Sequence, residues 1–570
     1  MRLHLIYKKY FSSILITISY LAIVFVFRNN SIWGINDDYV LNSIINNSSD
    51  LQNSIVSFMS LVLGFLLAIL FKLTNHSNWL GITLTIGNLL FVLISVFIIK
   101  KFKYLITRYI GFLIISFLIP YLILRPTYTI TSLLLTFSGL FYFLHLVKIK
   151  EKKYRYFLIA GLIATFGISI RMDSLKGSIL FLGLYLIIFL IIFKNFNLLK
   201  KISIFLIPIF ILIISQSIIY QKVSSQNLNT SEYLKFQNLR HELFYTPAFL
   251  KMHQKVIAGE VNQDKWANVE MILFRNWVYP DQNIYNSATL QIGKKSVESY
   301  MGLTGVLNSD LIQTFETFFY YLDDVKIFFY ISILLILFSI VASKNYKYSL
   351  LLNFSLLFSY LIGFYYAAAV LRIPIRVSLP YLVIFSILVI FNLELTQLNS
   401  KLNLKSKSFS LVFSILFISL FNWYSNFGFK FLALENQSKL NFSIQRNLEL
   451  SNLNENALYI STINYIPSSN SGPFNKAFDS ENRILSLDWS TFSPSWKMKA
   501  LSLGLNPKNI YLDLAKTKNV YFISNPELAD LADMYMNDHK ILRGKKCLVQ
   551  KLTGVDDAGV YTYQAPENSC

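Results

Sequence analysis

The chain has 570 residues, of which 54% are hydrophobic and 15% charged, with a mean hydropathy of +0.47 and a formal net charge of +21. That composition excludes an ordinary soluble enzyme and describes a polytopic membrane protein. The placement of the positive charge also argues against a nucleic-acid binder: Lys and Arg stand in short clusters between apolar runs, the pattern of cytoplasmic loops.

The apolar run Phe11–Phe27 follows Arg2, Lys8 and Lys9 and lacks a small-residue cleavage site. It reads as a first span with a cytoplasmic N-terminus, not as a signal peptide. Just beyond it, the stretch from Trp33 to Ser43 carries two adjacent carboxylates, Asp37 and Asp38, at a membrane exit. Ser54–Phe71 is then apolar and long enough to cross. If it crossed, the clusters at Lys100–Lys103, Lys148–Arg155, Lys194 with Lys200 and Lys201, Lys344 with Lys347, and Lys401–Lys407 would all lie outside. About twenty basic residues obey the positive-inside rule only if this segment lies along the outer interface. It is therefore expected to be a juxtamembrane helix.

The remaining spans are expected at Trp79–Ile99, Tyr104–Leu124, Thr127–Val147, Tyr156–Ile170, Leu175–Phe193, Ile202–Tyr220, Ile327–Val341, Tyr348–Val370, Val377–Phe391 and Leu411–Gly428. With the first they make about eleven transmembrane helices, an odd number that leaves the C-terminus outside. The fold class is thus a membrane all-α polytopic bundle with a C-terminal extracytoplasmic α/β domain.

In this division residues 1–430 form the transmembrane domain. Its first outer loop, 28–78, holds the acid pair and the juxtamembrane helix; a large outer loop, 221–326, is too long for a passive connector. Glu232–Phe244 and Thr246–Ile257 in that loop read as helices. Residues 431–570 form the soluble domain, where Ala457–Thr462, Arg483–Trp489 and Asn519–Ser524 read as short strands. Its two cysteines, Cys547 and Cys570, are too few for a zinc site and stand either as a disulfide or as free thiols.

The order of these parts resembles the GT-C superfamily of glycosyltransferases, which includes protein O-mannosyltransferases and the aminoarabinose transferase of lipid A. The resemblance rests on Asp37-Asp38 in the first outer loop, Ser54–Phe71 as juxtamembrane helix, Trp79 opening the second span and a final outer domain. A closer likeness is to bacterial multispan proteins with an Asn-Asp-Asp-Tyr opening, an Ile-Arg-x-Asp sequence near mid-chain and a Trp-x-x-x-Ser-Pro in the tail. Asn36–Tyr39, Ile170–Asp173 and Trp489–Pro494 match in kind.

What the resemblance implies is a polyprenyl-phosphate-linked sugar as donor, an envelope glycan, lipid or protein as acceptor, and an inverting reaction outside the bacterial cytoplasmic membrane. A carboxylate must then take the acceptor hydroxyl's proton, and cations must stabilise the departing phosphate. Asp37 and Asp38 offer the base, with Asp37 ahead by its place in the motif; the alternative is that one of them, or Asn36, caps the following helix. Arg125, Arg171, Arg372 and Arg376, at outer membrane ends, are the candidate phosphate binders; the alternative is snorkelling to lipid. Asn36, Tyr39 and Asp173 are supporting candidates, and Arg171 with Asp173 also fits a local ion pair. His241 and Glu242 read as a solvated helix face. No cofactor is expected, a divalent metal shared by the acid pair being the less favoured option, and no nucleic-acid partner. Two other functions remain: a flippase or transporter for lipid-linked sugars, in which the charges line a pathway, and an O-antigen polymerase or ligase, in which the acid pair is incidental.

Overall fold

In hydrocarbon every backbone N–H and C=O must be satisfied within its own segment, so the long Ile, Leu and Phe runs of this chain become helices. The computed structural model describes residues 2–33, 36–46, 58–74, 78–193, 197–226, 228–244, 268–276, 278–301, 326–370, 375–397, 407–453, 456–462, 465–466, 472, 483–488, 490–541, 546–552 and 558–563. Helices run in the order α1 (Arg2–Phe27), α2 (Asn36–Asn46), α3 (Leu61–Leu73), α4 (Trp79–Lys100), α5 (Leu105–Leu124), α6 (Tyr128–Lys148), α7 (Tyr154–Ile170), α8 (Asp173–Ile192) and α9 (Leu198–Gln226). Then come α10 (Leu228–Phe244), α11 (Asn268–Arg275), α12 (Ser287–Met301), α13 (Lys326–Ala342), α14 (Tyr346–Val370), α15 (Ile375–Thr396) and α16 (Lys407–Leu453). Each expected span falls on a helix. Seven of the described helices are long and apolar enough to cross a membrane, and four shorter apolar stretches accompany them. The protein is a multi-pass membrane protein.

α3 is one of the shorter stretches. Its 13 residues reach about 20 Å, well short of a ~30 Å hydrocarbon core. It buries Leu63, Leu67 and Phe71 against the protein and leaves Leu66, Ile69 and Leu73 exposed. Its orphan N-terminal donors are met locally: the Ser60 hydroxyl accepts from Leu63 N–H at 3.2 Å, and the Gln216 side chain on α9 accepts from Leu61 N–H at 2.7 Å.

α6 and α15 are the innermost helices, almost wholly buried, whereas α8 and α9 turn much of their surface outward. α7 packs directly on α6 because Gly167 has no side chain: a Cβ there would stand 2.4 Å from the Thr136 backbone nitrogen. The helices α4, α6, α8 and α15 all begin at the end of the bundle that carries α2. The described lysines of the basic clusters, among them Lys101, Lys103, Lys148, Lys153 and Lys201, sit at the opposite end. There the Glu394 carboxylate accepts from the backbone N–H groups of Lys103 and Tyr104 and from the Thr107 hydroxyl, closing the start of α5.

α16 is 47 residues long and carries the chain from the last apolar run, past residue 430, into the C-terminal region without a break. That region holds β1 (Leu458–Thr462), β2 (Ile484–Leu487), α17 (Pro494–Ser502), α18 (Ile510–Lys516), β3 (Val520–Ser524), α19 (Pro526–Asp538), β4 (Cys547–Lys551) and β5 (Gly559–Thr562). The sheet order is β2-β1-β3-β5-β4; β1 pairs parallel with β2 and β3, and β5 pairs antiparallel with β3 and β4. β1, β2 and β3 are the three strands expected from the sequence. β4 and β5 were not, because each carries few apolar residues in alternation. Cys547 is disulfide-bonded, and Cys570 lies outside the described residues.

The large loop and the C-terminal region are not separate bodies. Tyr233, Phe236, Leu273, Phe274, Tyr279 and Tyr285 from α10–α12 enter one apolar core with Leu485, Trp496, Ile510, Tyr511, Phe522 and Tyr535. The seam is hydrogen-bonded as well: Ile510 N–H donates to Pro280 C=O at 2.9 Å, and the Asn509 amide donates to Asp281 at 2.8 Å. Tyr285→Ala, which empties a fully buried site, should destabilise this unit by about 3–5 kcal/mol. Proteolysis in detergent should then open the loop helices and the sheet together; a cut loop beside an intact sheet contradicts a shared core.

Candidate active site

α2 lies where the bundle meets the unit formed by the large loop and the sheet. Trp33, just before it, and its Val40, Leu41, Ile44 and Ile45 face the membrane side, against α3, α4, Tyr128 and Ile170. Tyr39 packs against that cluster and also against Leu450, Tyr465, Ile466 and Ile484 of the C-terminal region. The approach to α2 is equally constrained. Ser31 Oγ donates to Ile123 C=O, Ile32 N–H to Leu124 C=O, and Gly472 sits so close that a Cβ would lie 1.7 Å from the Ser31 carbonyl oxygen.

With α2 held this way, the two carboxylates go in different directions. Asp38 is fully buried, and its Oδ1 accepts from Tyr128 N–H at 2.7 Å, at the first residue of α6. A carboxylate at that position meets an orphan donor and the positive end of the helix dipole. Asp37 is partly exposed, and its Oδ2 stands 3.4 Å from Arg376 Nη2. Arg376 lies at the start of α15, and its buried Nε has no hydrogen-bond partner among the described residues. The guanidinium therefore keeps one donor, Nε, unspent among the described residues beside the acid.

Arg171, the C-cap of α7, completes the cluster. Its Nη1 donates to Thr129 Oγ1 at 2.6 Å and to Tyr128 Oη at 3.2 Å, and its guanidinium lies over the Phe58 and Tyr128 rings. The Tyr128 hydroxyl is within electrostatic reach of Arg171, Asp37, Arg376 and Asp38 at once. Four of the residues singled out from the sequence thus converge around one tyrosine. That tyrosine, with Thr129 and Phe58, gave no sequence signal beyond lying at a helix start or in an apolar run.

The other candidates are placed differently. Arg125 gives Nη2 to Glu435 at 2.6 Å and Nε to Asn436 at 3.1 Å, so its charge is engaged by α16. Asp173 pairs with Lys176 at 3.4 Å, not with Arg171. His241 is half-buried with its ring edge-on to Phe58, unlike the solvated face expected of it, whereas Glu242 is exposed and paired with Lys294 at 2.6 Å. The Asn36 side chain and Arg372 lie outside what the structure describes. Among the described residues no group of three or more His, Cys, Asp or Glu side chains is gathered as for a metal ion.

The unit of loop and sheet adds a residue the sequence did not flag. Asp488, just after β2, is fully buried; burial raises its pKa, hydrogen bonds from Ser486 and Ser490 lower it, and the charge of Asp37 raises it further. The tail thus brings its own carboxylate within reach of Asp37.

No family model matches the chain, and no curated protein does. Among solved structures it is similar to ArnT from Cupriavidus metallidurans bound to undecaprenyl phosphate, with a TM-score of 0.41 and 10% identity over 98% of each chain. It is similar to the same protein in the apo state at a TM-score of 0.41 and 9% identity, covering 96% of this chain and 97% of that one. The matched residues run nearly from end to end of each chain.

Two outcomes follow from this geometry. Asp38→Ala leaves Tyr128 N–H without its acceptor and should cost about 1–3 kcal/mol, read as a lowered thermal midpoint in detergent; Asp37→Ala should leave the midpoint nearly unchanged. Burial lowers the His241 pKa, with Asp173 opposing and Arg240 and Arg171 adding to the effect. The native state therefore binds its proton less readily than the unfolded chain, whose histidine titrates near about 6.5. Stability should fall as pH drops below that value, and by less in His241→Gln than in the wild type.

Proposed function

We propose that the protein is an inverting glycosyltransferase that moves a sugar from a polyprenyl-phosphate donor to a glycan, lipid or protein acceptor. The observation that carries this reading is the pairing of a partly exposed carboxylate, Asp37, with a cation, Arg376, whose Nε has no partner among the described residues, at a helix start. A base and a phosphate-binding group then stand side by side, as displacement at a glycosyl phosphate requires.

In this reading the acceptor hydroxyl attacks the anomeric carbon while Asp37 takes its proton. The bond between that carbon and the phosphate oxygen breaks, and the negative charge passes to the lipid phosphate. Arg376 and Arg171 receive that charge, helped by the N-termini of α6, α8 and α15, whose dipoles present their positive ends here. Guanidinium suits the role because its planar fork matches phosphate oxygens and stays charged. Asp38 is assigned a structural part, holding α2 on α6 so that Asp37 is correctly aimed. Arg372 belongs to the same proposed phosphate group by its sequence position two residues before Pro374.

The orientation we propose is an N-terminus in the bacterial cytoplasm and the acid pair, large loop and C-terminal domain outside. Its support is the gathering of lysines at the bundle end opposite α2.

The test is transfer by the purified protein from a panel of radiolabelled polyprenyl-phosphate sugars. Asp37→Asn should lower turnover by two or more orders of magnitude with donor binding retained. Arg376→Ala should weaken donor binding as well, and Asp38→Asn should act chiefly through stability. Full activity in Asp37→Asn removes this base. Donor binding without transfer, together with donor movement across vesicle membranes, replaces the enzyme by a flippase.

A further inference from the structure

Asp37 and Arg376 differ from the other charged groups of the cluster in how they are held. Arg125 is taken up by Glu435 and Asn436, Arg171 by Thr129 and Tyr128, and Asp38 by the Tyr128 N–H. Asp37 and Arg376 each have one ion pair or hydrogen bond among the described residues, and it is with each other. That contact is loose. Its 3.4 Å exceeds the roughly 2.7–2.9 Å of a charge-assisted hydrogen bond. Both side chains are also open to solvent, Arg376 at 26% and Asp37 at 28% exposure, so an anion can reach them.

The geometry of the guanidinium decides what could replace Asp37. Nη2 and the Nε–H lie on one edge of the planar fork, the edge that grips a carboxylate or phosphate through two parallel bonds. Asp37 meets that edge at Nη2 alone, and Nε is buried without a partner among the described residues. Arg376 is thus occupied but not satisfied, and a phosphate taking Asp37's place has both donors to accept from. The two anions therefore compete for one group. While the ion pair holds, it neutralises the charge a phosphate would seek and turns the carboxylate toward Arg376, away from any acceptor hydroxyl. Ending it moves one short side chain only, because the 2.7 Å bond from Tyr128 N–H to Asp38 keeps α2 itself in place.

We propose that Arg376 is an exchange site: it holds Asp37 in the free protein and gives it up for the phosphate of the polyprenyl donor, so that the base is released only once the donor is in place and the acceptor reacts second. This rests on the transferase reading for what the released carboxylate does, whereas the exchange itself is a property of phosphate binding. Charge balances at each stage. The donor phosphodiester brings the negative charge that Asp37 withdraws from Arg376. In the reaction the acceptor's proton passes to Asp37, which becomes neutral and has no claim on the guanidinium, while the departing lipid phosphate gains the electron pair of the broken bond. When Asp37 gives its proton to water it again competes for Arg376, and this helps expel the lipid phosphate.

The experiment titrates the full-length protein in detergent with farnesyl phosphate, followed by calorimetry, with farnesol as the same chain lacking the phosphate. Asp37→Asn should bind farnesyl phosphate about two- to fivefold more tightly than the wild type, the gain expected when a partly exposed ion pair no longer has to be broken. Farnesol should show no such gain. Arg376→Ala should weaken farnesyl phosphate binding about tenfold. Adding Asp37→Asn to it should then recover less than about twofold, because no guanidinium remains to compete for. Arg376→Gln takes its place if the alanine variant lowers the thermal midpoint. Equal tightening with and without Arg376 is plain repulsion between two anions and overturns the proposal. Unchanged affinity in Asp37→Asn also overturns it, as does a gain of the same size with phosphatidylglycerol, which would assign the exchange to bilayer headgroups. The transfer assay separates the two readings. Lost transfer in Asp37→Asn with unchanged affinity keeps the base and overturns the exchange, whereas tighter binding with transfer intact keeps the exchange and removes the base.

Discussion

The hydrogen bond from Tyr128 N–H to the buried Asp38 carboxylate is the contact on which the site depends. It joins a short helix to the start of α6, one of the two innermost helices of the bundle. A buried carboxylate with this partner gains from the orphan N–H and from the helix dipole, whereas the same group without one would carry a large desolvation cost. α2 is therefore not free to rotate about its axis, and its other carboxylate is presented to Arg376 at the start of the second inner helix.

The neighbouring contacts reinforce that fixed angle. Asn436 of α16 donates to Asn30 C=O and Leu124 C=O while accepting from Arg125 Nε, so one side chain ties three segments together just below α2. Arg125 contributes to this tie, with Glu435 taking up its charge. On the far side of α3, Ser60 N–H donates to Ser169 C=O and Met172 N–H to Phe58 C=O, which fixes the loop holding Arg171 against the juxtamembrane segment. Backbone groups that leave their helices here are satisfied by one another, and the charged side chains between them acquire defined positions.

The unit of loop and sheet contributes in the same manner. Because α10–α12 and the sheet share one core, and because α16 runs without a break from the bundle into that unit, the turn bearing Asp488 is carried by a framework connected to the membrane helices on two routes. Tyr39 packs against the bundle-side cluster and the C-terminal region at once, so it bridges the two. Motion of the C-terminal region would thus act directly on the helix that bears Asp37.

The sequence by itself determined the helical bundle and the first three strands. It did so because an apolar run long enough for a bilayer has only one way to satisfy its backbone, and because period-two alternation marks a half-buried strand. Counting lysines also distinguished α3 from a span, which its length then matched. Only the tertiary structure decided which acid faces which partner. Asp37 and Asp38 are alike in type and adjacent in the chain, and their difference arises from α2 being clamped between two bodies. The same holds for Arg125 and Arg171: both end helices at the same face, yet one meets Glu435 and the other meets Tyr128 and Thr129, some 40 residues away in the chain. Asp488 lies more than four hundred residues from Asp37, and no local pattern of period or spacing encodes an electrostatic influence exerted across that distance.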